Sequence, residues 1–100
     1  SNIANNYERF SGRTLEQYFR AKAFESGLYT QVGNWWDRKG ENEIDLIALN
    51  EFNHTAVAAE IKRNSEKINL HALEAKVETL RKSNFGKYSF SLQALSLEDM

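Results

Sequence analysis

The sequence predicts an α/β domain in which a central sheet is covered by helices on both faces. Two consecutive strand-like segments are apolar on both faces, which is typical of strands inside a sheet covered on both sides. Two further segments carry their apolar residues at helical spacing. The chain has 100 residues, which is enough for one hydrophobic core. The predicted order of elements is helix, three strands, helix, strand.

The first third of the chain is predicted to form one helix and one strand. Thr14–Ser26 has apolar residues at helical spacing and is followed by Gly27, a residue type that commonly ends a helix. Leu28–Trp36 is rich in aromatic and β-branched residues, which favours a strand. Gly33 within this segment indicates a bulge or a close backbone approach.

The next two segments are predicted to be strands that form a hairpin. Glu43–Asn50 and Thr55–Lys62 are separated by a short turn, which favours antiparallel pairing. Strict alternation in the first of these strands predicts one face that carries Ile44, Leu46 and Ala48. The opposite face is then expected to carry Asp45, Ile47 and Leu49.

The last third of the chain is predicted to form a helix and a final strand. An amphipathic helix that ends near Ser83 is indicated by apolar residues at intervals of three and four, namely Leu70, Leu73, Val77 and Leu80. Lys87–Leu95 alternates apolar and polar residues, as a half-buried strand does. Residues 1–11 are expected to be a flexible lead-in to a domain that spans 12–100. We expect the domain to be excised from a longer chain, since it opens Ser1-Asn2 and its one methionine is Met100.

Composition excludes several classes of site. The chain has no cysteine, so disulfides, thiolate zinc sites and cysteine nucleophiles are excluded. The longest apolar runs have four residues, so the sequence offers neither a membrane span nor the core of a signal peptide, and a soluble, cytoplasmic protein is expected. The net charge is −1, so any attraction to nucleic acid must be local.

Two carboxylates interrupt strands that are otherwise apolar. Asp45 and Glu60 are expected at the same end of the sheet, because their strands are predicted to pair as an antiparallel hairpin. A buried carboxylate is costly unless it is paired, hydrogen-bonded or bound to a cation. Lys62 is expected on the same face as Glu60, with the carbonyl of Ile61 between them. Oxygen ligands of this kind suit Mg²⁺ or Mn²⁺, and a lysine beside them could polarise water or stabilise charge on a phosphate. This combination predicts hydrolysis of phosphodiesters.

These strands contain the segments Ile44-Asp45-Leu46-Ile47-Ala48 and Ala59-Glu60-Ile61-Lys62, and Glu16 lies in the helix that precedes them. Together they resemble the PD-(D/E)xK nuclease superfamily, whose core has the same α-β-β-β-α-β order. More narrowly, the chain resembles the domain of unknown function at the C-terminal end of archaeal-type ATPases, over about residues 12–95. That resemblance rests on Gly33-x-Trp35-Trp36, Glu43-Ile44-Asp45-Leu46 and Glu60-x-Lys62. The proline that names the superfamily motif is absent, since Glu43-Ile44 precedes the aspartate.

The resemblance implies a restriction-endonuclease-like core, with a mixed central sheet flanked by helices. It implies that Asp45 and Glu60 bind the metal, to which the strand geometry adds the carbonyl of Ile61 as a further oxygen ligand. Lys62 would be the catalytic lysine, and Glu16 would complete the acidic cluster. The implied activity is Mg²⁺-dependent (or Mn²⁺-dependent) endonucleolytic hydrolysis of DNA by metal-activated water. The implied partners are DNA and an ATPase domain in the same full-length chain, and a homo-oligomer is possible. The alternative is a catalytically inactive interaction or DNA-binding module attached to an ATP-binding protein.

Simpler interpretations apply to several of these residues. Lys62 could extend into solvent from a strand end, and Glu60 could pair with it. Glu16 could pair with Arg20 one helical turn later. Glu43 shares a strand face with Asp45 and could be an additional ligand, although it lies in a charged turn.

Aromatic and basic residues near the predicted site have two interpretations as well. Trp35 and Trp36 could stack on bases. Adjacent residues of a strand point to opposite faces, so at least one of the two is expected in the core, and the core interpretation is favoured for the pair. Four basic residues flank the predicted site in sequence and could contact a phosphate backbone, although loop charges are usually only solvated. They are Arg38, Lys39, Arg63 and Lys67.

Overall fold

The computed structural model describes residues 12–100 and has the predicted α/β order of elements. The helices and strands are α1 (Gly12–Glu25), β1 (Gln31–Trp36), β2 (Glu43–Asn50), β3 (Thr55–Ile61), α2 (Leu70–Arg81) and β4 (Ser89–Leu95). Two short 3-10 helices, Ser65–Lys67 and Leu97–Asp99, follow β3 and β4. The predicted lead-in, residues 1–11, lies outside the described residues.

The four strands form one mixed sheet in the order β1-β2-β3-β4. The pairs β1–β2 and β2–β3 are antiparallel, which confirms the predicted hairpin. β4 runs parallel to β3, because α2 carries the chain back along the sheet before β4 begins. No helix among residues 12–100 combines the length and the apolar character that crossing a membrane requires.

The element boundaries differ from the predicted ones by a few residues. β1 begins at Gln31 rather than Leu28, and the side chain of Leu28 is 64% exposed. α2 ends at Arg81, before the predicted Ser83, because the N–H of Ser83 donates to the carbonyl of Leu80 in a tighter, 3-10-type turn.

Helices cover both faces of the sheet, as the two-sided strands predict. On one face, buried residues of α2 pack against β2 and β3, and this cluster comprises Leu73, Val77, Leu80, Ile44, Ile47, Leu49, Ala56 and Ala58. On the other face, a second cluster comprises Leu15 and Phe19 of α1 with Leu46, Ala59 and Ile61. Alternate residues of β3 therefore enter different clusters, which is the period-two geometry of a strand between two layers.

A β-bulge interrupts the pairing of β1 with β2. The register shifts between Gly33 and Trp35, directly after the glycine that indicated an irregularity. The additional residue belongs to the partner strand, because Asp45 and Leu46 of β2 together lie opposite Asn34 of β1. A Cβ on Gly33 would meet open space, so a close backbone approach is not the reason for a glycine there.

The bulge overturns the strict alternation that was predicted for β2. Ile44 packs with Ile47 and Leu49 beneath α2, whereas alternation predicted it on the face of Leu46. One additional residue reverses the side-chain direction of everything on one side of the bulge. As a result, Asp45 and Leu46 both face α1, and Ile44 faces α2.

Because one face of α2 is buried, we expect a Leu→Ala substitution in this helix to lower stability by very different amounts at a buried and at an exposed position. Leu73 is 1% exposed, and Leu73→Ala should lower the free energy of unfolding by about 2–5 kcal/mol. Leu70 lies in the first turn of the same helix and is 46% exposed, so Leu70→Ala should cost less than about 1 kcal/mol. Urea denaturation of both variants checks this, and equal losses would contradict the observed packing.

Candidate functional site

Three carboxylates meet on the α1 face of the sheet. Glu16 of α1 and Glu43 and Asp45 of β2 each bring one oxygen to within 4.8 Å of the others. We call these residues the carboxylate group. The sequence predicts Glu16 and Asp45 as site residues, and it indicates Glu43 as an additional ligand.

The fold gives each member of this group its position for a simple reason. Leu15 of α1 is fully buried against the sheet, so the next residue, Glu16, lies beside the covered face rather than away from it. Glu43 and Asp45 are two residues apart in β2 and share a face. Lys76 of α2 donates from Nζ to the main-chain carbonyl of Glu43 at 2.9 Å, which ties the start of β2 to the opposite helix.

Arg20 connects α1 to β2 at the centre of the site. Its Nη1 donates to the main-chain carbonyl of Asp45 at 2.9 Å and lies 3.5 Å from Oε1 of Glu16. Sequence reasoning found only the helical pair with Glu16, because the contact with Asp45 joins residues that are 25 positions apart. The guanidinium places one positive charge beside three carboxylates, so the site remains negative in net charge.

Asp45 also connects β2 to β3. Its Oδ2 accepts a hydrogen bond from the main-chain N–H of Ile61 at 2.8 Å. The pairing of β2 with β3 ends at Leu46 and Ala59, and the side chain of Asp45 links the two strands beyond that point. Asp45 is therefore both a member of the carboxylate group and a structural acceptor.

Burial raises the pKa of the Glu16 carboxyl above its ordinary value, and the negative charge of Asp45 raises it further. The hydrogen bond and the positive charge of Arg20 act in the opposite direction, and Glu43 adds a smaller upward effect. The side chain of Glu16 is 22% exposed. The raised pKa means that the ionised form of Glu16 is electrostatically unfavourable at this position, and a bound cation would stabilise that form.

Glu60 lies at the same end of the sheet as Asp45, as predicted, but it is not one of the three grouped carboxylates in the described part of the chain. Its neighbours Ala59 and Ile61 pack beneath α1, so alternation directs Glu60 toward the α2 side. There, its Oε2 accepts from the N–H of Asn69, the N-cap of α2, at 3.3 Å. The role of Glu60 and of the Ile61 carbonyl as metal ligands stays a prediction.

The predicted lysine and the flanking basic residues all lie at the surface. Lys62 follows β3 directly, and its main-chain N–H donates to the carbonyl of Leu95 at 3.1 Å while its side chain is exposed. Arg38 and Lys39 are exposed in the turn between β1 and β2. Arg63 and Lys67 are exposed in the segment between β3 and α2.

The two tryptophans separate, as adjacent strand residues do. Trp35 packs against the cluster beneath α2, which confirms the core interpretation for that residue. Trp36 is 59% exposed, so the core interpretation is wrong for the second member of the pair. Trp36 is paired in register with Glu43 of the carboxylate group.

The double role of Asp45 predicts different effects for two substitutions. Asp45→Ala leaves the N–H of Ile61 without its acceptor and should lower the free energy of unfolding by about 1–3 kcal/mol. Asp45→Asn retains an acceptor oxygen and removes one of three neighbouring negative charges. It should therefore lower the free energy of unfolding by clearly less than Asp45→Ala does. Urea denaturation in the presence of a chelator measures both, and equal losses would contradict the structural role of the side chain.

The raised pKa of Glu16 predicts a pH-dependent stability. Folding favours the protonated form of this carboxyl, so its favourable contribution is present at low pH and is lost as the pH rises through the folded-state pKa. Glu16→Gln should therefore raise the melting temperature modestly at neutral pH in chelator, with a difference that shrinks below about pH 4.5. Glu25→Gln, at an exposed position of the same helix, is the control. A constant difference at all pH values would argue against this origin.

Comparison with known proteins identifies the family to which the chain belongs. Searches among curated proteins and among solved structures find no match. The sequence model of the DUF234 family, described as archaea bacterial proteins of unknown function, matches residues 1–85. This range includes α1, all of β1 to β3 and α2, and hence every residue of the carboxylate group. The chain therefore belongs to the DUF234 family of archaeal and bacterial proteins.

Proposed function

We propose that this domain hydrolyses phosphodiester bonds of DNA with the help of Mg²⁺ or Mn²⁺, as an endonuclease of the PD-(D/E)xK kind. The observation that carries this proposal is the carboxylate group, formed by Glu16, Glu43 and Asp45 at the end of the sheet where Glu60 and Lys62 also lie. The α-β-β-β-α-β order around a mixed sheet is compatible with that superfamily.

The donor set of the carboxylate group fits a hard divalent cation. Three carboxylate oxygens lie within 4.8 Å of one another, and Mg²⁺ and Mn²⁺ prefer oxygen ligands. Glu16, Glu43 and Asp45 would hold the ion, and the Ile61 carbonyl would be a further oxygen ligand. Glu60, which the resemblance implies as a ligand, would have to turn away from the N–H of Asn69 to reach this ion. The ion would supply Lewis-acid polarisation of a phosphate and a lowered pKa for water.

The chain's own side chains would share the remaining work. Arg20 fixes the main chain of Asp45 and so orients its carboxylate. Lys62 presents an exposed ammonium at the same end of the sheet, where it would stabilise negative charge that builds on the phosphate in the transition state. Basic residues around the site would neutralise phosphates on either side, namely Arg38, Lys39, Arg63 and Lys67.

The proposal includes the context that the resemblance implies. We expect the domain to act in the cytoplasm, attached to an ATPase domain of the same full-length chain, and a homo-oligomer would bring two sites to one DNA. The net charge of −1 means that the domain alone should bind DNA weakly, so an attached partner would supply much of the affinity.

A second candidate is a catalytically inactive interaction or DNA-binding module attached to an ATP-binding protein. One specific observation favours it. The carboxylates of Asp45 and Glu60 both accept hydrogen bonds from main-chain N–H groups, and Glu16 lies beside Arg20. Each of these acidic residues thus has a structural use that requires no metal.

Metal binding separates the two candidates. Calorimetric titration with Mn²⁺ should detect binding by the wild-type domain, and Asp45→Asn should weaken it by about tenfold or more, since even the loss of groups that only support a ligand has effects of this size. If Glu60 is a metal ligand, as the resemblance implies, Glu60→Gln should weaken Mn²⁺ binding as well. Glu51→Gln, in the exposed turn that follows β2 at the opposite end of the sheet, is the control and should bind as wild type does. No binding by the wild type, or equal binding by Asp45→Asn, would favour the inactive module.

Catalysis should depend on Lys62 separately from the metal. At low salt with Mn²⁺, the wild-type domain should nick supercoiled plasmid slowly, and Lys62→Ala should reduce the rate by about 100-fold while Mn²⁺ binding persists. Lys87→Ala removes another exposed lysine, near the start of β4 at the opposite end of the sheet, and should nick normally. Equal nicking by wild type and Lys62→Ala would contradict this role and point to a contaminating nuclease.

A further inference from the structure

Trp36 presents an exposed aromatic ring beside the carboxylate group. It is the last residue of β1, is 59% exposed, and pairs in register with Glu43. The preceding pair, Trp35 with Ile44, belongs to the face beneath α2. By alternation, Trp36 and Glu43 therefore share the α1 face, where the carboxylate group lies.

The pairing fixes how close the ring is to the site. Residues directly opposite each other on one face of an antiparallel pair have Cβ atoms about 4.5–5.5 Å apart. Trp36 is therefore an immediate neighbour of Glu43. A planar group stacked on the indole would lie next to the oxygens proposed to hold the metal.

A hydrogen-bonded turn places two cations shortly after this ring. Arg38 and Lys39 are both exposed, and they belong to the turn between β1 and β2. The carboxylate of Asp37 accepts from the N–H of Glu41 and from the side-chain amide of Asn42, both at 2.8 Å. These bonds connect the two ends of the turn, and so they reduce the conformational freedom that would be lost when a ligand binds to it.

An exposed aromatic ring followed by cations is the combination that binds single-stranded nucleic acid, in which the ring stacks on a base and the cations contact the backbone. A base inside a duplex is already stacked and paired, so its face is not available to Trp36. We infer that Trp36 stacks on an unpaired base and that Arg38 and Lys39 contact the adjoining phosphates. The preferred substrate is then DNA with single-stranded nucleotides next to the cleaved bond. This inference rests on the proposed function and specifies its substrate class.

Oligonucleotide binding by the full chain tests the inference without any cleavage. The probes are a fluorescein-labelled 15-nucleotide oligothymidylate and a duplex of the same length, each titrated at low salt in Ca²⁺ and again in chelator. Trp36→Ala should weaken binding of the oligothymidylate by about tenfold and leave the duplex within about twofold of wild type. Trp36→Phe should restore part of the affinity, because a smaller ring still stacks.

A matched variant and a direct signal make the result specific. Phe52 is an exposed aromatic residue, 88% exposed, in the turn at the opposite end of β2, and Phe52→Ala should bind the oligothymidylate as wild type does. Binding should also quench the tryptophan fluorescence of the wild type but not that of Trp36→Ala, which retains only the half-buried Trp35.

Three results would overturn the inference. In the first, the wild type and Trp36→Ala bind the oligothymidylate with equal affinity. In the second, Trp36→Ala loses as much affinity for the duplex as for the oligothymidylate. In the third, the wild type does not bind the oligothymidylate. Failure of the proposed function is seen in a different measurement: the wild type does not bind Mn²⁺, or Asp45→Asn binds it as well as the wild type does. Melting temperatures of all variants identify any loss that arises from unfolding.

Discussion

The additional residue in β2 at Asp45 and Leu46 is the constraint on which the candidate site depends. A regular strand would have directed Asp45 to the α2 face, with Ile47 and Leu49, and away from Glu16. The bulge turns Asp45 to the α1 face while Leu46 keeps its place in the cluster beneath α1. Both hydrophobic layers stay filled, because Ile44 moves to the opposite cluster in the same step. One local irregularity therefore assembles the carboxylate group without opening a gap in either layer.

The charges of the site are balanced by contacts that join distant parts of the chain. Glu16, Glu43 and Asp45 repel one another, and the pKa of Glu16 is raised first by its burial and then by this repulsion. Arg20 opposes it from α1, and the N–H of Ile61 satisfies one oxygen of Asp45 from β3. The fold thus tolerates three neighbouring carboxylates without cancelling their charge. The contacts with Arg20 and with the N–H of Ile61 hold this negative site in shape, which is what the proposed cation would require.

The elements of the fold could be predicted because their signals are local. Period-two and helical spacing, together with Gly27 and Gly33, indicated the six main elements and the position of the irregularity. The boundaries were less accurate, since the end of α2 depends on a single tighter turn at Ser83. The sequence also singled out Asp45 and Glu16, which the fold brings together. It could not show which strand holds the additional residue, because a glycine in β1 and a bulge in β2 are related only through pairing.

By itself, then, the sequence determined the fold class, the two-sided burial of β2 and β3, and the acidic residues near one end of the sheet. Tertiary structure alone decided which of those residues meet. It joined Glu43 to the carboxylate group and directed Glu60 to the N-terminus of α2. It also linked Arg20 to a carbonyl 25 residues away and left Trp36 exposed while Trp35 packs in the core. The physical reason is the same in each case: side-chain direction in a paired strand depends on the register with its neighbour, and register is a property of the sheet rather than of any single segment.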